Sequence, residues 1–307
     1  MRALLPTGQA GALVVAGEAE EPVPEPGQAL VKVEAFSLNR GELSRLRGAP
    51  RPGLRPGKDI AGLVVQGAAD GSGPRTGQRV VAHPPHGGWA EYAAVGTDRL
   101  AVLPEGVDAV TAAALPLAGL TALRLLRTAG CLSGRSLLLT GASGGVGHYV
   151  TELAVAAGAE VTAVTATPER GARLAEFGAR VVHRLADAQG PFHVVMESVG
   201  GASTAGALAL LRPRGELIWF GQASREPAVL DFFRFFDGPR SAAVRHFHYE
   251  HTDASCAADL AALVRLVAED RLHPVVGRLA DWRETARALD DLGERRITGN
   301  AVLTIGA

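Results

Sequence analysis

The sequence predicts an α/β protein in which a β-rich N-terminal part precedes a doubly wound parallel sheet. Three observations carry this reading. Up to about residue 115 short apolar stretches are separated by Pro and Gly, the pattern of a compact β unit. From Ser136 onward strand patterns alternate with helix patterns, as in a parallel sheet with crossover helices. At the start of that alternation the apolar run 137–139 leads straight into Gly141-Ala142-Ser143-Gly144-Gly145-Val146-Gly147, a strand, a glycine turn and the first turn of a helix.

In chain order, strands are expected at 12–15, 28–33, 60–66, 79–82 and 89–95, with turns such as 22–27 between them. Residues 39–47 read as a short helix with Leu43 and Leu46 on its buried side. One helix is expected over 109–128. Then follow strand 137–140, a helix from near Gly145 to 157, strand 160–165, helix 169–177, strand 180–183, strand 193–196, helix 202–211 and strand 216–220. After residue 255 come helix 257–269, strand 275–276, helix 282–292 and strand 300–304. Residues 231–251 are unusually aromatic, with Phe232, Phe233, Phe235 and Phe236, and read as core packing at an interface rather than a stacking platform.

Composition excludes several classes. The 307 residues are 47% hydrophobic with a net charge of −1, enough for a core and without the basic excess of a nucleic-acid binder. Lysine occurs only at Lys32 and Lys58, read as the codon bias of a GC-rich bacterial genome. Cys131 and Cys256 cannot form a thiolate zinc cluster or a disulfide framework. No leader pattern and no membrane-length apolar run is seen, so a cytoplasmic protein acting on a small molecule, with no nucleic acid and no membrane, is expected.

The glycine turn points to a nucleotide. Gly141, Gly144, Gly145 and Gly147 permit a tight turn and close approach of a ligand. The helix start offers N–H groups and a positive dipole end to a phosphate. The spacing Gly-x-x-Gly-x-x-Gly differs from the commonest fingerprint, so the next unit matters. Strand 160–165 ends without the acid that holds an NAD ribose. It offers instead Thr165 and Thr167, followed by Arg170. Hydroxyls with a cation suit a 2′-phosphate, hence NADPH, although Glu169 also stands within reach of a ribose.

Further segments extend the pattern: Leu38-Asn39-Arg40, the turn from Pro56 through Lys58-Asp59 to Gly62, Gly77 to Val81, Gly87 to Tyr92, and Leu115 to Ala122. Glu197 to Gly200, Phe220-Gly221-Gln222-Ala223-Ser224, and Arg287 to Asn300 follow. In this order and spacing the chain resembles the zinc-free quinone oxidoreductase branch of the medium-chain dehydrogenase/reductases, which includes enoyl reductases. The resemblance implies a GroES-like catalytic domain from residues 1–120 and 252–307, with a Rossmann domain, 121–251, inserted. It implies an NADPH cofactor in the cleft, held by Asn39, Thr121, Gly141, Ser143, Gly144, Gly145, Val146, Thr165, Thr167, Arg170, Val199, Phe220, Gly221, Gln222, Ala223, Phe247 and Asn300. A homodimer is also implied.

Asn39 is the candidate to orient nicotinamide or substrate, with a turn-stabilising role as the alternative. Glu42 is a candidate for a polar relay, with a helix-surface carboxylate as the alternative. His246, His248, Tyr249 and His251 are candidates for the far side of the cleft. His83 and His86 are read as loop or cleft-edge residues and not as metal ligands. The chain departs from the resemblance where Ser44, Pro50 and Leu185 stand for tyrosines, Gln78 for an aspartate and Asn300 for a terminal lysine. The expected activity is hydride transfer to a quinone or an α,β-unsaturated carbonyl, in secondary metabolism among other settings. The alternative is an NADPH-binding relative with a non-redox, sensing or structural role.

Overall fold

The computed structural model describes residues 1–9, 12–48 and 53–306. Its elements run β1 (Arg2–Gln9), β2 (Ala12–Glu18), β3 (Gln28–Leu38), α1 (Arg40–Arg47), β4 (Ile60–Gln66), β5 (Arg79–Ala82), β6 (Tyr92–Gly96) and β7 (Leu100–Val102). Next come α2 (Ala109–Ala113), α3 (Pro116–Ala129), β8 (Ser136–Leu139), α4 (Gly145–Ala156), β9 (Glu160–Val164), α5 (Pro168–Glu176) and β10 (Arg180–Val182). The chain continues through β11 (Phe192–Glu197), α6 (Ala202–Ala209), β12 (Leu211–Trp219), α7 (Arg234–Asp237) and β13 (Ala243–His246). It closes with α8 (Cys256–Ala268), β14 (Val276–Asp281), α9 (Thr285–Gly293) and β15 (Asn300–Thr304). Two compact units result, Met1–Leu120 with Asp253–Ala307, and Thr121–Thr252. Among the described residues no helix is long and apolar enough to cross a membrane.

The first unit is built on β3. Its alternating and then continuous burial suits a central strand, and it pairs antiparallel with β4, β6 and β15. The seven-stranded sheet runs β14-β15-β3-β4-β5-β7, with β6 also on β3, and β1 and β2 form a separate hairpin. Phe36, Ile60, Leu43, Leu46 and Trp89 share one buried cluster, and Phe36 stacks on Trp89 at 5.7 Å. Trp89 belongs to the expected strand 89–95, yet the strand starts at Tyr92. The indole donates to the Ser37 carbonyl at 3.1 Å and the backbone N–H to Pro56 O, while Ala90 forms an isolated antiparallel bridge with Ala3 of β1, so residues 89–91 are held by the 56–57 turn and by β1 before the regular strand begins. Gly57 lies against this segment at φ +112, where an added Cβ would fall 2.6 Å from Gly88 N. The expected helix 109–128 is two helices. Pro116 lacks an N–H and disfavours helical backbone before it, so α2 stops and α3 starts on the proline.

The second unit contains six parallel strands in the order β10-β9-β8-β11-β12-β13, the dinucleotide-fold order with its reversal between β8 and β11. Leu137, Leu138 and Leu139 are 0% exposed, as a strand covered on both faces requires. Only a 3₁₀ turn, Leu185–Asp187, stands between β10 and β11, in keeping with the expected strands 180–183 and 193–196 following one another with no helix between them. β13 was not expected. Its four residues are all exposed, and an edge strand with little burial carries no apolar alternation to read. In the aromatic segment Phe235 packs against a buried cluster, while Phe232, Phe233 and Phe236 are 67%, 73% and 61% exposed.

Candidate functional site

The carboxyl ends of the parallel strands gather most of the expected cofactor residues. Gly141 leaves β8 at φ +62, a conformation that favours glycine, and Gly144 caps α4. The N–H groups of Gly145, Val146 and Gly147 precede the first intrahelical bond, from His148 to Gly144 at 3.2 Å, so they face outward from the helix end. No acidic residue occupies that first turn. Gly147 has a different task from the others. A Cβ there would fall 2.6 Å from the Ala142 carbonyl carbon, so glycine lets α4 pack directly on the turn.

Arg170 reaches this turn from α5. Its Nε donates to Ser143 Oγ at 3.1 Å, which brings the cation from after β9 against the glycine loop. The Thr165 hydroxyl donates to the Thr167 carbonyl at 3.1 Å, and Thr165 is buried while Thr167 is exposed at the cap of α5. Glu169 is bound by the Thr167 side chain, which holds its carboxyl below the usual range. His148, nearly buried, has its imidazole held below its ordinary value chiefly by desolvation, with Arg170 and Arg173 adding to it.

The opposite wall is organised by Glu197, a residue the sequence reading placed in a motif without a role. It is 0% exposed. Its carboxylate accepts from Thr140 (3.1 Å), Val199 N (3.0 Å), Gly200 N (3.0 Å), Ser203 (2.9 Å) and Thr204 (3.1 Å). The available signal was an acid followed within seven residues by Ser203 and Thr204. This fixed turn carries Val199 and sets Ser198 beneath Phe220–Ala223. The Phe220 N–H bonds Glu197 O at 2.9 Å, and the Ala223 N–H bonds Ser198 O at 2.9 Å. Gly221 is packed against Ser198, where a Cβ would meet its carbonyl oxygen at 3.1 Å. The Gln222 amide donates to Glu226 O at 2.9 Å, and Phe247 leaves β13 with its N–H on Trp219 O at 2.9 Å. Thr121 is buried on α3.

In the first unit a buried polar network surrounds Asp59, which is 0% exposed. It accepts from Ser37 (2.8 Å), Asn39 Nδ2 (2.7 Å), His83 Nδ1 (2.9 Å) and Leu117 N (3.1 Å). His83, in the loop after β5, is therefore a buried partner of Asp59; His86, in the same loop, is exposed. Glu42 is 5% exposed, which corrects the helix-surface alternative. Its carboxyl takes the N–H of Asn39 at 3.1 Å and of Gly57 at 3.0 Å. Desolvation and then the Asp59 charge push it up to about 8. Asn300 follows in register beside Asn39, next to the Ala301–Leu38 pair, and its amide donates to Val275 O at 3.2 Å. Ser44 is exposed on α1, and Pro50 lies outside the described residues.

The raised Glu42 pKa gives a signed expectation. The folded chain keeps a proton that the unfolded chain releases near 4.5. Stability from this group is therefore complete below that value and is lost as pH rises to about 8, at about 1.4 kcal/mol per pH unit. In urea melts from about pH 5 to about pH 8, the stability of wild type relative to Glu42→Gln should fall with this slope. Parallel curves would mean that Glu42 ionises normally.

Two family models match the chain: "Alcohol dehydrogenase GroES-like domain" over residues 25–105 and "Zinc-binding dehydrogenase" over residues 145–265. A quinone oxidoreductase of Pseudomonas aeruginosa is 30% identical over 300 residues, covering 91% of this chain and 92% of that protein. A chloroplast envelope quinone oxidoreductase homolog of Arabidopsis thaliana is 41% identical over 172 residues, 51% of this chain and 50% of that protein. In the first of the curated relatives the match thus spans about half of the protein's length. A mycobacterial protein solved with NADPH superposes with TM-score 0.88 at 26% identity, covering 99% of this chain and 100% of the other.

Proposed function

The chain belongs to the quinone oxidoreductase branch of the medium-chain dehydrogenase/reductases, and from that premise we propose that it is an NADPH-dependent oxidoreductase. The proposed acceptor is a quinone or an α,β-unsaturated carbonyl, and the proposed reaction is zinc-independent. The observation that carries the reading is Arg170 hydrogen-bonded to Ser143 on the glycine turn. A cation is thereby held beside a helix end suited to phosphate, and no acid ends β9 to claim a ribose 2′-hydroxyl.

The residues fit the cofactor. The N–H groups of Gly145 and Val146 would take the pyrophosphate, and Arg170, with Thr167 exposed nearby, the 2′-phosphate. Val199 and the Phe220–Ala223 turn would flank the remaining nucleotide, with the Glu197 network keeping both rigid. When bound, NADPH supplies a hydride to the β-carbon of the acceptor. The chain's own contribution is orientation and exclusion of water, with the α-carbon proton taken from solvent. Asn39 and Glu42 would position the acceptor end through the Asp59 network. That network also supports the zinc-independent reading. The Asp59 carboxylate already serves four protein donors.

The test is oxidation of NADPH and NADH with 1,4-benzoquinone and an enone, in wild type and Arg170→Ala. A hydrogen-bonded charge pair contributes about 1.5–3 kcal/mol, so the variant should lose roughly 10- to 100-fold in kcat/KM for NADPH and keep its value for NADH. Equal losses for both would remove Arg170 from the 2′-phosphate site. Tight NADPH binding without turnover on any acceptor would favour a non-redox relative, a reading supported by exposed Ser44 and partly buried Leu185 in place of tyrosines.

A further inference from the structure

The second unit holds a cavity of about 650 Å³ at the end of β13. Arg124 and Arg127 line it from α3, Arg245 and His246 from β13, and His248 and His251 from the segment that follows. Thr128 and Thr252 add hydroxyls, and Phe247 supplies an apolar wall. The lining contains three guanidiniums and three imidazoles but no carboxylate. The Arg245 guanidinium is paired with Glu216 at 2.6 Å. Arg124, 7% exposed, donates to Tyr249 O at 2.7 Å and so ties α3 to the strand end. Guanidinium forks with imidazole and hydroxyl donors are the chemistry that recognises phosphate and carboxylate oxygens, and the volume is that of a small-molecule site.

This cavity does not coincide with the cofactor phosphates. β13 stands three strand spacings from β8, about 14 Å, and Arg170 lies on the other side of β8, after β9. It adjoins the carboxyl end of β13, on the β11–β12 side of the reversal, and ligands of parallel sheets bind at the carboxyl ends of strands. Resting on the reductase reading above, we propose that the cavity takes the oxyanion group, carboxylate or phosphate, of the acceptor, so that the preferred acceptors are anionic and not neutral quinones.

The test compares 4-oxopent-2-enoate with its methyl ester, two enones that differ in one charge. In wild type the KM of the carboxylate should be at least about 10-fold below that of the ester, a typical return for a charge-assisted contact. Arg127→Ala, an exposed position, should collapse that ratio. Arg265→Ala, which removes an equal charge from α8, should keep it. A second readout needs no turnover: inorganic pyrophosphate titrated into NADPH-saturated protein should bind wild type and weaken at least about 10-fold in Arg127→Ala. If no acceptor is reduced, the reductase reading falls while the titration still decides the cavity. A ratio near one in wild type, or pyrophosphate binding indifferent to Arg127→Ala, overturns the proposal.

Discussion

Asp59→Ala should lower the unfolding free energy by about 3–5 kcal/mol, the cost of removing one member of a buried, hydrogen-bonded polar network. The reason is geometric. Asp59 is 0% exposed and is the common acceptor for Ser37 at the end of β3, Asn39 at the cap of α1, His83 after β5 and Leu117 in the first turn of α3. Alanine leaves four donors facing a cavity too small to hydrate them all, and each unsatisfied donor costs about 1–3 kcal/mol. Local relaxation keeps the total below their sum. Asp59→Asn should cost less, because one oxygen remains to serve two of the donors while the amide nitrogen opposes the other two. The Asn variant carries a second, independent signature. Removing the Asp59 charge removes the second-largest cause of the raised Glu42 pKa, so the pH dependence of stability should shift toward lower pH. Urea melts at several pH values measure both, with an unchanged m-value indicating that the denatured state is the same. A loss below about 1 kcal/mol, within the range of one ordinary hydrogen bond, would mean that the network does not hold this unit together.

The contrast between the two units shows what the sequence makes legible. In the second unit the apolar strands β8 and β9 and the glycine turn are contiguous, so local pattern identifies strand, turn and helix together. Arg170 was legible because its place relative to that turn is set by chain distance. Asp59 was not. Its partners Ser37, His83 and Leu117 are 22, 24 and 58 residues away, and buried polar satisfaction has no sequence period. The burial of Glu42 was hidden for a related reason. Its helix is polar overall, and only the approach of Gly57 N, 15 residues on, reveals that the carboxyl points inward. The basic cavity combines both difficulties: the histidines after β13 stood out in the sequence, while Arg124 and Arg127 joined them only through folding of α3. Pro116, by contrast, was visible and under-weighted, since a proline inside an expected helix already marks a boundary.

Gly147→Ala should cost more than its chemistry suggests and should abolish measurable NADPH binding. Gly147 has no positive φ, so the added methyl meets no dihedral penalty. The obstacle is the Ala142 backbone, whose carbonyl carbon and Cα lie 2.6 Å from the position of the new Cβ. No side-chain rotamer relieves a clash with backbone, so either α4 or the turn must move. Overpacking of this kind costs about 1–3 kcal/mol and occasionally more, and contact with a rigid backbone belongs at the upper end. The displaced atoms are those that set the directions of the Gly145 and Val146 N–H groups, so the phosphate site is lost with the packing. Gly144→Ala supplies the control. Gly144 sits at φ −82 and ψ 172, ordinary for alanine, and its Cβ would meet only Gly141 O, at 3.6 Å. That variant should unfold like wild type, and any weakening of NADPH binding would report close approach of the ligand alone. Thermal melts and quenching of protein fluorescence by NADPH separate the two. A Gly147→Ala protein with wild-type stability and NADPH affinity would show that the turn accommodates the methyl, and the assignment of Gly147 to helix packing would be wrong.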